Sequence, residues 1–310
     1  MRVFVTGASG WIGSALVPEL IGAGHKVVGL ARSDASAAAL TEAGVDAVSG
    51  TLDDLDVLRE AAGDSDGVIH LAFKHELAFS GNFQEAAEAD RRTVETLGES
   101  LAGSGRPLLI ASGLVGLTTG RPSTEDDGRT PEELAALPAG PRTRMGTAHV
   151  ALSLADRNVR SSVVRLPPTV HGDGDNGFMT TLIGIARDKG VSGYIGDGTQ
   201  RWSATHRADA ARLFRLALEG APAGSVLHAS AEDGVPLRSV AEVIGRHLDV
   251  PTRSVPAEEA AEHFTWLSGF FGLDSPASSE RTRDLLGWNP TGPGLIEDLD
   301  MGHYFKNGGQ

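Results

Sequence analysis

The sequence predicts an α/β protein with a Rossmann-type, doubly wound parallel sheet and a smaller C-terminal α+β lobe. Two observations predict this fold. Short apolar runs alternate with amphipathic helical segments up to about residue 170, which is typical of right-handed βαβ units. Beyond that point the elements become shorter and mixed. We therefore expect an NADP(H)-binding domain over residues 1–170 and a substrate-binding lobe over residues 171–310, with the chain free to cross back between them.

The elements follow one another in a regular order. The apolar runs of the first part are each bounded by turn residues and are expected to be strands at Val3–Val5, Lys26–Leu30, Asp46–Ser49, Gly67–Ala72, Pro107–Ala111 and Ser161–Leu166. Residues 113–141 are rich in Gly, Pro, Ser and Thr and are expected to form a long loop. In the C-terminal lobe a strand is expected at 225–229 and an aromatic-bearing helix at 258–271.

Composition excludes several classes of protein. The net charge of −14 over 310 residues argues against nucleic acid or an anionic membrane surface as a partner. The chain has no cysteine and therefore no thiolate chemistry, and its histidines show no metal-ligand spacing. It has no apolar run of the roughly 18 residues that a membrane helix needs, and no signal peptide is recognised. We expect a cytoplasmic monomer or homodimer that binds no metal.

A glycine-rich turn between the first strand and the first helix has the spacing of a phosphate cradle. Gly7 allows a tight turn, Gly10 lets the backbone approach a pyrophosphate, and Gly13 lets the helix pack close to the strand. The amides at the start of the helix then face the anion, whereas the alternative is an ordinary strand–helix turn. The residues of this turn expected to bind a dinucleotide are Gly7, Ser9, Gly10, Trp11, Ile12 and Gly13.

The residues after the second strand indicate which dinucleotide is bound. Arg32 and Ser33 stand where a carboxylate would hold the free ribose hydroxyls of NAD. A guanidinium instead pairs with a 2′-phosphate in a bidentate manner, so we predict NADPH/NADP+ as the cofactor. Asp34 lies one residue further on and would soften this preference, and the alternative for Arg32 is a surface arginine in a loop.

Five segments in order resemble the extended and atypical short-chain dehydrogenase/reductases, namely Thr6–Gly13, His70–Ala72, Arg165–Gly172, His206–Ala210 and Leu286–Pro290. The resemblance spans nearly the whole chain and implies the Rossmann fold together with a nicotinamide cofactor. It further implies that the cofactor is contacted by Leu52 near the adenine, by Leu71, Ala72 and Phe73 after the fourth strand, and by Pro167, Pro168 and Val170 near the nicotinamide. The family usually has aspartate where Thr51 stands.

The chain departs from this family at the catalytic acid. The family uses Tyr-x-x-x-Lys with a serine or threonine, but neither Tyr194 nor Tyr304 is followed four residues later by lysine. The expected position, residues 140–146, contains no competent acid. Ser112 matches the family serine, with a strand-end serine as its alternative. His149 is a candidate proton donor, with a core or surface histidine as its alternative.

Candidate substrate contacts cluster at the expected carboxyl edge of the sheet and late in the chain. Aromatic residues make up only 5% of the chain, so the late aromatic cluster suggests a lid, although it also fits the core face of an amphipathic helix. The residues expected to contact a substrate are Phe73, Lys74, Ser112, Met145, Trp202, His206, Trp266 and Phe270.

Three functions are compatible with the missing tyrosine, because a positioned acid contributes about 10²–10⁴ in rate while hydride transfer itself needs placement. The favoured one is NADPH-dependent reduction of a bulky aromatic, phenolic carbonyl compound whose own phenol supplies the proton. On this point the chain resembles the ketoreductases of aromatic polyketide antibiotic pathways, of the angucyclinone type. The alternatives are a non-catalytic NADP(H)-binding regulator and an NAD-dependent sugar-nucleotide epimerase or dehydratase. Arg32 and the missing tyrosine count against the epimerase.

Overall fold

The computed structural model describes residues 1–118 and 120–306 and has the α/β architecture that the sequence predicts. Its strands are β1 (Arg2–Thr6), β2 (Lys26–Ala31), β3 (Asp46–Ser49), β4 (Gly67–His70), β5 (Pro107–Gly113), β6 (Arg160–Leu166), β7 (Thr169–His171), β8 (Ser192–Ile195), β9 (Arg201–His206), β10 (Ser225–His228), β11 (Glu232–Pro236) and β12 (Thr252–Val255). Its helices are α1 (Gly13–Gly22), α2 (Asp34–Glu42), α3 (Leu55–Gly63), α4 (His75–Leu77), α5 (Phe83–Leu101), α6 (Pro131–Ala135), α7 (Ala139–Ser153), α8 (Phe178–Lys189), α9 (Arg207–Gly220), α10 (Leu237–Leu248), α11 (Ala260–Phe264), α12 (Ser268–Phe271), α13 (Glu280–Leu286) and α14 (Leu295–Asp300).

A parallel sheet of seven strands in the order β10-β6-β5-β4-β1-β2-β3 forms the centre of the molecule. Its central strands are buried on both faces, which explains their almost continuous apolar sequences. Helices α1 and α9 supply the core on one face, whereas α3, α5 and α7 supply it on the other. The strand order reverses between β1 and β4, and the loops that follow these strands diverge there. Such a crevice is where open α/β sheets bind ligands.

The edge strand of the central sheet, β10, is where the structure differs most from the sequence-based expectation. Residues 225–229 were expected to belong to the C-terminal lobe, but β10 pairs in parallel with β6 at the edge of the central sheet. Helix α9 likewise packs on α1. The chain therefore crosses back to the first domain. The division at residue 170 into a cofactor-binding part and a substrate-binding part stays a prediction. Residues 307–310 of the predicted lobe lie outside the described part.

The C-terminal lobe contains a three-stranded sheet, β11-β9-β7, and a two-stranded sheet, β12-β8. Helices α8, α10, α11, α12 and α14 cover these strands and share one apolar core. The helix expected at 258–271 is interrupted at Thr265, whose φ of +54° is an outlier for a β-branched residue. This break turns Trp266 to the surface while Phe264 and Leu267 remain buried.

Residues 113–141, predicted to be one long loop, contain α6 and the first residues of α7. Thr130 caps α6 by accepting the N–H of Glu133, and the Glu133 carboxylate accepts the N–H of Thr130 in return. In the described residues we find no helix with the length and apolar character required to cross a membrane.

Candidate cofactor and substrate site

The glycine turn after β1 is closed so tightly that side chains are excluded from it. Gly7 has a φ of +71°, and a Cβ added there would lie 2.9 Å from the backbone nitrogen of Ala72. A Cβ added at Gly13 would lie 2.0 Å from the Gly7 carbonyl oxygen. Since real Cβ atoms do not approach backbone atoms so closely, both positions require glycine. The glycines that the sequence predicted for a phosphate cradle therefore form a tight turn, and their contact with a phosphate stays a prediction.

The first turn of α1 has no side-chain cap. Gly10 N–H donates to the Gly7 carbonyl at 3.0 Å and Ser14 N–H to the Gly10 carbonyl at 2.8 Å. Among the described residues, the intervening amides at 11–13 have no acceptor. Uncapped amides at a helix N-terminus favour an anion. The turn thus fits the diphosphate of a dinucleotide.

Trp11 connects this turn to the segment after β6. Its indole N–H donates to the Val170 carbonyl at 2.8 Å, so Val170 lies beside the turn as the sequence predicts for a cofactor contact. Pro167 is buried and Pro168 is half-buried in the same segment. The guanidinium of Arg207, the first residue of α9, lies 4.5 Å from the centre of a Trp11 ring.

Arg32 lies at the carboxyl end of β2 and is largely free. Its side chain is 73% exposed and Nη2 lies 3.1 Å from the equally exposed carboxylate of Glu76. Ser33, predicted to contact the cofactor, instead caps α2 by accepting the Ser36 N–H at 3.2 Å. The exposed Arg32–Glu76 pair contributes little to stability, so Arg32 can exchange its partner for a phosphate.

Lys74 and Leu52 lie near the end of β3. Lys74, predicted to contact the substrate, binds both carboxylate oxygens of Asp53 at 2.6 and 2.8 Å, just after β3. It does not line the cavity that contains Ser112. Leu52 is 8% exposed and belongs to the core between the sheet and α5. Little of its side chain is left to contact an adenine ring. Leu71, Ala72 and Phe73 are half-buried after β4.

A buried charge network, absent from the sequence-based prediction, connects β1 with α7. The carboxylate of Asp90, 1% exposed on α5, binds Nη1 of Arg144 and accepts from Nε2 of His70 at 3.2 Å. Nδ1 of His70 in turn accepts from the Thr6 hydroxyl at 2.7 Å. Although burial favours the neutral carboxyl, the Arg144 cation and the His70 hydrogen bond lower the pKa of Asp90. Asp90 therefore carries a charge that holds Arg144.

Arg144 presents its guanidinium beside the end of β4. Its Nη2 donates to the Ala111 carbonyl at 3.1 Å, and the group lies 4.5 Å from the centre of the Phe73 ring. The side chain is 23% exposed, and two bonds to protein acceptors leave further N–H donors available. Arg144 belongs to the helix where the family tyrosine is expected. A search for an acid at four-residue spacing overlooks it because arginine is not an acid.

Ser112, His149 and Met145, all predicted site residues, line one cavity between β5, α7 and the segment before α6. Its volume of about 50 Å³ holds a few water molecules at most. A bulky aromatic substrate does not fit there without movement of this segment. The structure therefore brings the two predicted catalytic residues together, but in a small cavity rather than in a substrate-sized cleft.

His228 and Arg165 form a second buried pair beside this cavity. Arg165 lies opposite Ser112 in the β5–β6 register, and its Nη1 donates to the Asp127 carbonyl at 2.6 Å. His228 donates from Nδ1 to the Ser278 carbonyl at 2.8 Å, so its Nε2 is free to accept from Arg165 at 3.3 Å. Burial lowers the pKa of His228 to about 4, and the Arg165 cation acts in the same direction.

An aromatic arc extends from Phe73 to the C-terminal lobe. Successive ring centres lie 5.1 Å apart from Phe73 to His75, 5.9 Å from His75 to Phe79, and 5.2 Å from Phe79 to Trp266. The arc ends on Phe178 and Phe270, whose rings lie 5.9 and 6.3 Å from Trp266. Phe79 is 59% exposed and Trp266 is 49% exposed. The predicted lid residues Trp266 and Phe270 thus meet rings from both parts of the chain.

The structure corrects the prediction for Trp202. This indole is 1% exposed in the core of the C-terminal lobe, and its N–H donates to the Leu273 carbonyl at 3.1 Å. Its ring packs against that of Phe178, with ring centres 5.4 Å apart. At this depth it cannot contact a substrate. His206, another predicted substrate contact, caps α9 by accepting the Ala208 N–H at 3.4 Å. Its ring lies 5.6 Å from that of His171, and burial lowers the pKa of His206.

The chain belongs to the NAD dependent epimerase/dehydratase family, whose model matches residues 3–228. The uncharacterized protein C2A9.02 of Schizosaccharomyces pombe is 47% identical and covers 98% of this chain and 100% of its own length. A 4-hydroxy-2-methyl-3-oxo-4-farnesyl-3,4-dihydroquinoline-1-oxide ketoreductase of Stigmatella aurantiaca is 28% identical over 85% of this chain and 79% of its own. The solved structure of MoeE5 in complex with UDP-glucose and NAD is 25% identical, with a TM-score of 0.76 over 99% of both chains. We therefore describe an oxidoreductase of this family with an NAD(P)-type Rossmann fold.

Replacing His228 with asparagine should flatten the dependence of stability on pH. The unfolded histidine binds a proton near its ordinary pKa of 6.5, whereas the folded one stays neutral down to about 4. Stability from this group is complete above 6.5 and is lost as the pH falls toward 4. Between pH ~7 and pH ~5 the native protein should therefore lose about 2 kcal/mol through His228.

Urea-unfolding free energies at both pH values, for the native protein and His228→Asn, check this prediction. The difference between the two proteins is the informative quantity, because other groups that titrate in this range are common to both. Parallel pH profiles would show that His228 is not held neutral.

Proposed function

We propose that this protein reduces the carbonyl group of a bulky aromatic compound with NADPH. The observation that carries the proposal is the aromatic arc, which begins at Phe73, beside the guanidinium of Arg144, and ends at Phe178 and Phe270. Exposed ring faces of this kind gain free energy by covering an aromatic ligand. The 28% identical ketoreductase of Stigmatella aurantiaca, named for an oxo-dihydroquinoline compound, supports the same substrate class.

NADPH, when bound, supplies the hydride for the carbonyl carbon. The glycine turn and the uncapped start of α1 hold its diphosphate, and Arg32 pairs with its 2′-phosphate once the exposed contact to Glu76 is released. The half-buried Ala72 and Phe73 would contact the nicotinamide end of the cofactor. These assignments extend the NAD(P) binding of the family to one of its two cofactors.

Arg144 replaces the electrostatic part of the missing tyrosine's role. Its remaining N–H groups can donate to a carbonyl oxygen over Phe73, where negative charge develops as hydride arrives. An arginine does not release its proton near neutral pH, so it stabilises the oxyanion without protonating it. The proton then comes from a phenol next to the carbonyl in the substrate. Ser112 and His149 face the neighbouring cavity and form the alternative route through water.

A sugar-nucleotide epimerase or dehydratase is the second candidate, favoured by the likeness to MoeE5, which was solved with UDP-glucose and NAD. Such an enzyme returns its hydride to the same substrate and therefore retains NAD through purification. An NADP(H)-binding regulator is the third candidate. It would bind the cofactor tightly and oxidise NADPH no faster when carbonyl compounds are added.

Arg32→Ala should reduce the preference for NADPH over NADH by about tenfold or more, because a charge-assisted bidentate pair with the 2′-phosphate is lost. Titration calorimetry with both dinucleotides measures this preference. Arg238→Ala is the matched control, since it removes another exposed guanidinium from an ion pair on α10. An unchanged preference in Arg32→Ala would reject the assignment of the 2′-phosphate to Arg32.

Trp266→Ala should raise the KM for aryl ketones about tenfold while leaving NADPH affinity unchanged, because one wall of the aromatic arc is removed. Initial rates on an aryl ketone and on acetaldehyde separate a loss of aromatic contact from a general defect. Leu285→Ala is the matched control, since Leu285 is a similarly exposed apolar residue on α13. Equal losses on both substrates would contradict the role of the arc.

The source of the proton is tested by comparing an ortho-hydroxy aryl ketone with its O-methyl ether. Methylation removes the acidic proton and adds little volume, so the ether should be reduced about 10²-fold more slowly, the lower range for a positioned acid. NADPH consumption and the chiral alcohol product are measured together. Equal rates would assign proton supply to the protein or to water and would favour Ser112 and His149.

A further inference from the structure

We propose that Arg207 completes the diphosphate site. Its guanidinium contacts the diphosphate of a bound dinucleotide from the side opposite the glycine turn. Its guanidinium lies 4.5 Å from the centre of a Trp11 ring. Trp11 is itself a residue of the glycine turn, and its backbone N–H is one of the amides without an acceptor among the described residues. Only the indole side chain of Trp11 therefore separates the Arg207 cation from the position expected for the diphosphate.

The position of Arg207 is fixed from both sides. Gly172 has a φ of +151°, and a Cβ added there would lie 3.3 and 3.4 Å from Cγ and Cδ of Arg207. The absence of a side chain at this position allows Arg207 to lie across the backbone. On the other side, the Trp11 ring is held by its hydrogen bond to Val170. The guanidinium is thereby directed to the turn instead of into solvent.

Arg207 differs from its neighbours on α9 in having no counter-charge. Arg212 lies 3.3 Å from the Asp209 carboxylate and donates to the Asn289 carbonyl, and Arg215 binds Glu19 and Glu219. Within residues 1–118 and 120–306, the guanidinium of Arg207 forms no ion pair and no hydrogen bond. An arginine without a counter-charge, in a chain of net charge −14, indicates a site for an anionic ligand.

The location of Arg207 in the chain gives the contact a further consequence. Arg207 follows β9, a strand of the C-terminal lobe, whereas the glycine turn follows β1 in the first domain. Helix α9 nevertheless packs on α1, so the core of the first domain holds Arg207 and the glycine turn together.

Truncated ligands test this inference without enzymatic turnover, so it depends on dinucleotide binding by the family and not on the proposed reduction. NADP+ contains both the diphosphate and the 2′-phosphate, whereas 2′-AMP contains only the latter. Arg207→Gln should weaken NADP+ binding about tenfold and leave 2′-AMP binding unchanged. Arg32→Ala should weaken both ligands. Calorimetry at constant salt gives the four affinities.

Two controls keep the result decisive. Arg207→Lys retains the charge and should recover part of the NADP+ affinity, and Arg238→Gln should bind both ligands as the native protein does. Binding of NADP+ to the native protein should also weaken more steeply with added salt than binding to Arg207→Gln, because one ionic contact fewer is screened. Unchanged NADP+ affinity in Arg207→Gln, or equal losses for NADP+ and 2′-AMP, would overturn the proposal. If Arg207→Gln fails to fold, the loss of affinity in Arg207→Lys and its salt dependence decide the question.

Discussion

The site depends on how closely α1 begins to β1. The separation of 2.0 Å between a hypothetical Cβ at Gly13 and the Gly7 carbonyl leaves no room for any side chain, so the helix amides can reach the crevice between β1 and β4. This backbone approach places Trp11 against Val170 and therefore aligns the segment after β6 with the turn. The geometry of the glycine turn thus follows from a steric constraint that two glycines satisfy, and the rest of the candidate site is arranged around it.

A single buried carboxylate performs the equivalent task for the chemistry. Asp90 holds His70 on one oxygen and Arg144 on the other, so β4 and α7 are joined through α5. Removing one partner of such a buried pair typically costs about 3–5 kcal/mol, because an unpaired charge remains in the core. The site therefore retains a fixed cation although the family tyrosine is missing, and its electrostatics can favour an oxyanion without any phenol on the chain.

The sequence predicts what local patterns encode and misses what distant contacts decide. The strands of the first domain are apolar runs between turn residues, and their existence and order follow from that pattern. The strand at 225–229 was recognised too, but its pairing with β6 depends on a register that no local signal contains. Trp202 and Trp266 are indistinguishable as letters; a positive φ at Thr265 makes one a surface residue, while the other is buried. For Arg144, an aspartate on the apolar face of α5 was the signal available.

The small cavity beside Ser112 is compatible with the proposed bulky substrate because different parts of the molecule would accommodate the carbonyl group and the rings. The pocket beside Ser112 has a volume of about 50 Å³. It has room for water molecules next to a carbonyl oxygen but not for a fused ring. The rings of Phe79 and Trp266 lie instead at the boundary of the two lobes, where they are partly exposed and present apolar surface to water. Covering apolar surface yields about 25 cal/mol for each Å² removed from water, so an aromatic ligand is held there by area. In the proposed reduction the arc would supply the binding free energy, and the guanidinium of Arg144 at its end would orient the carbonyl group.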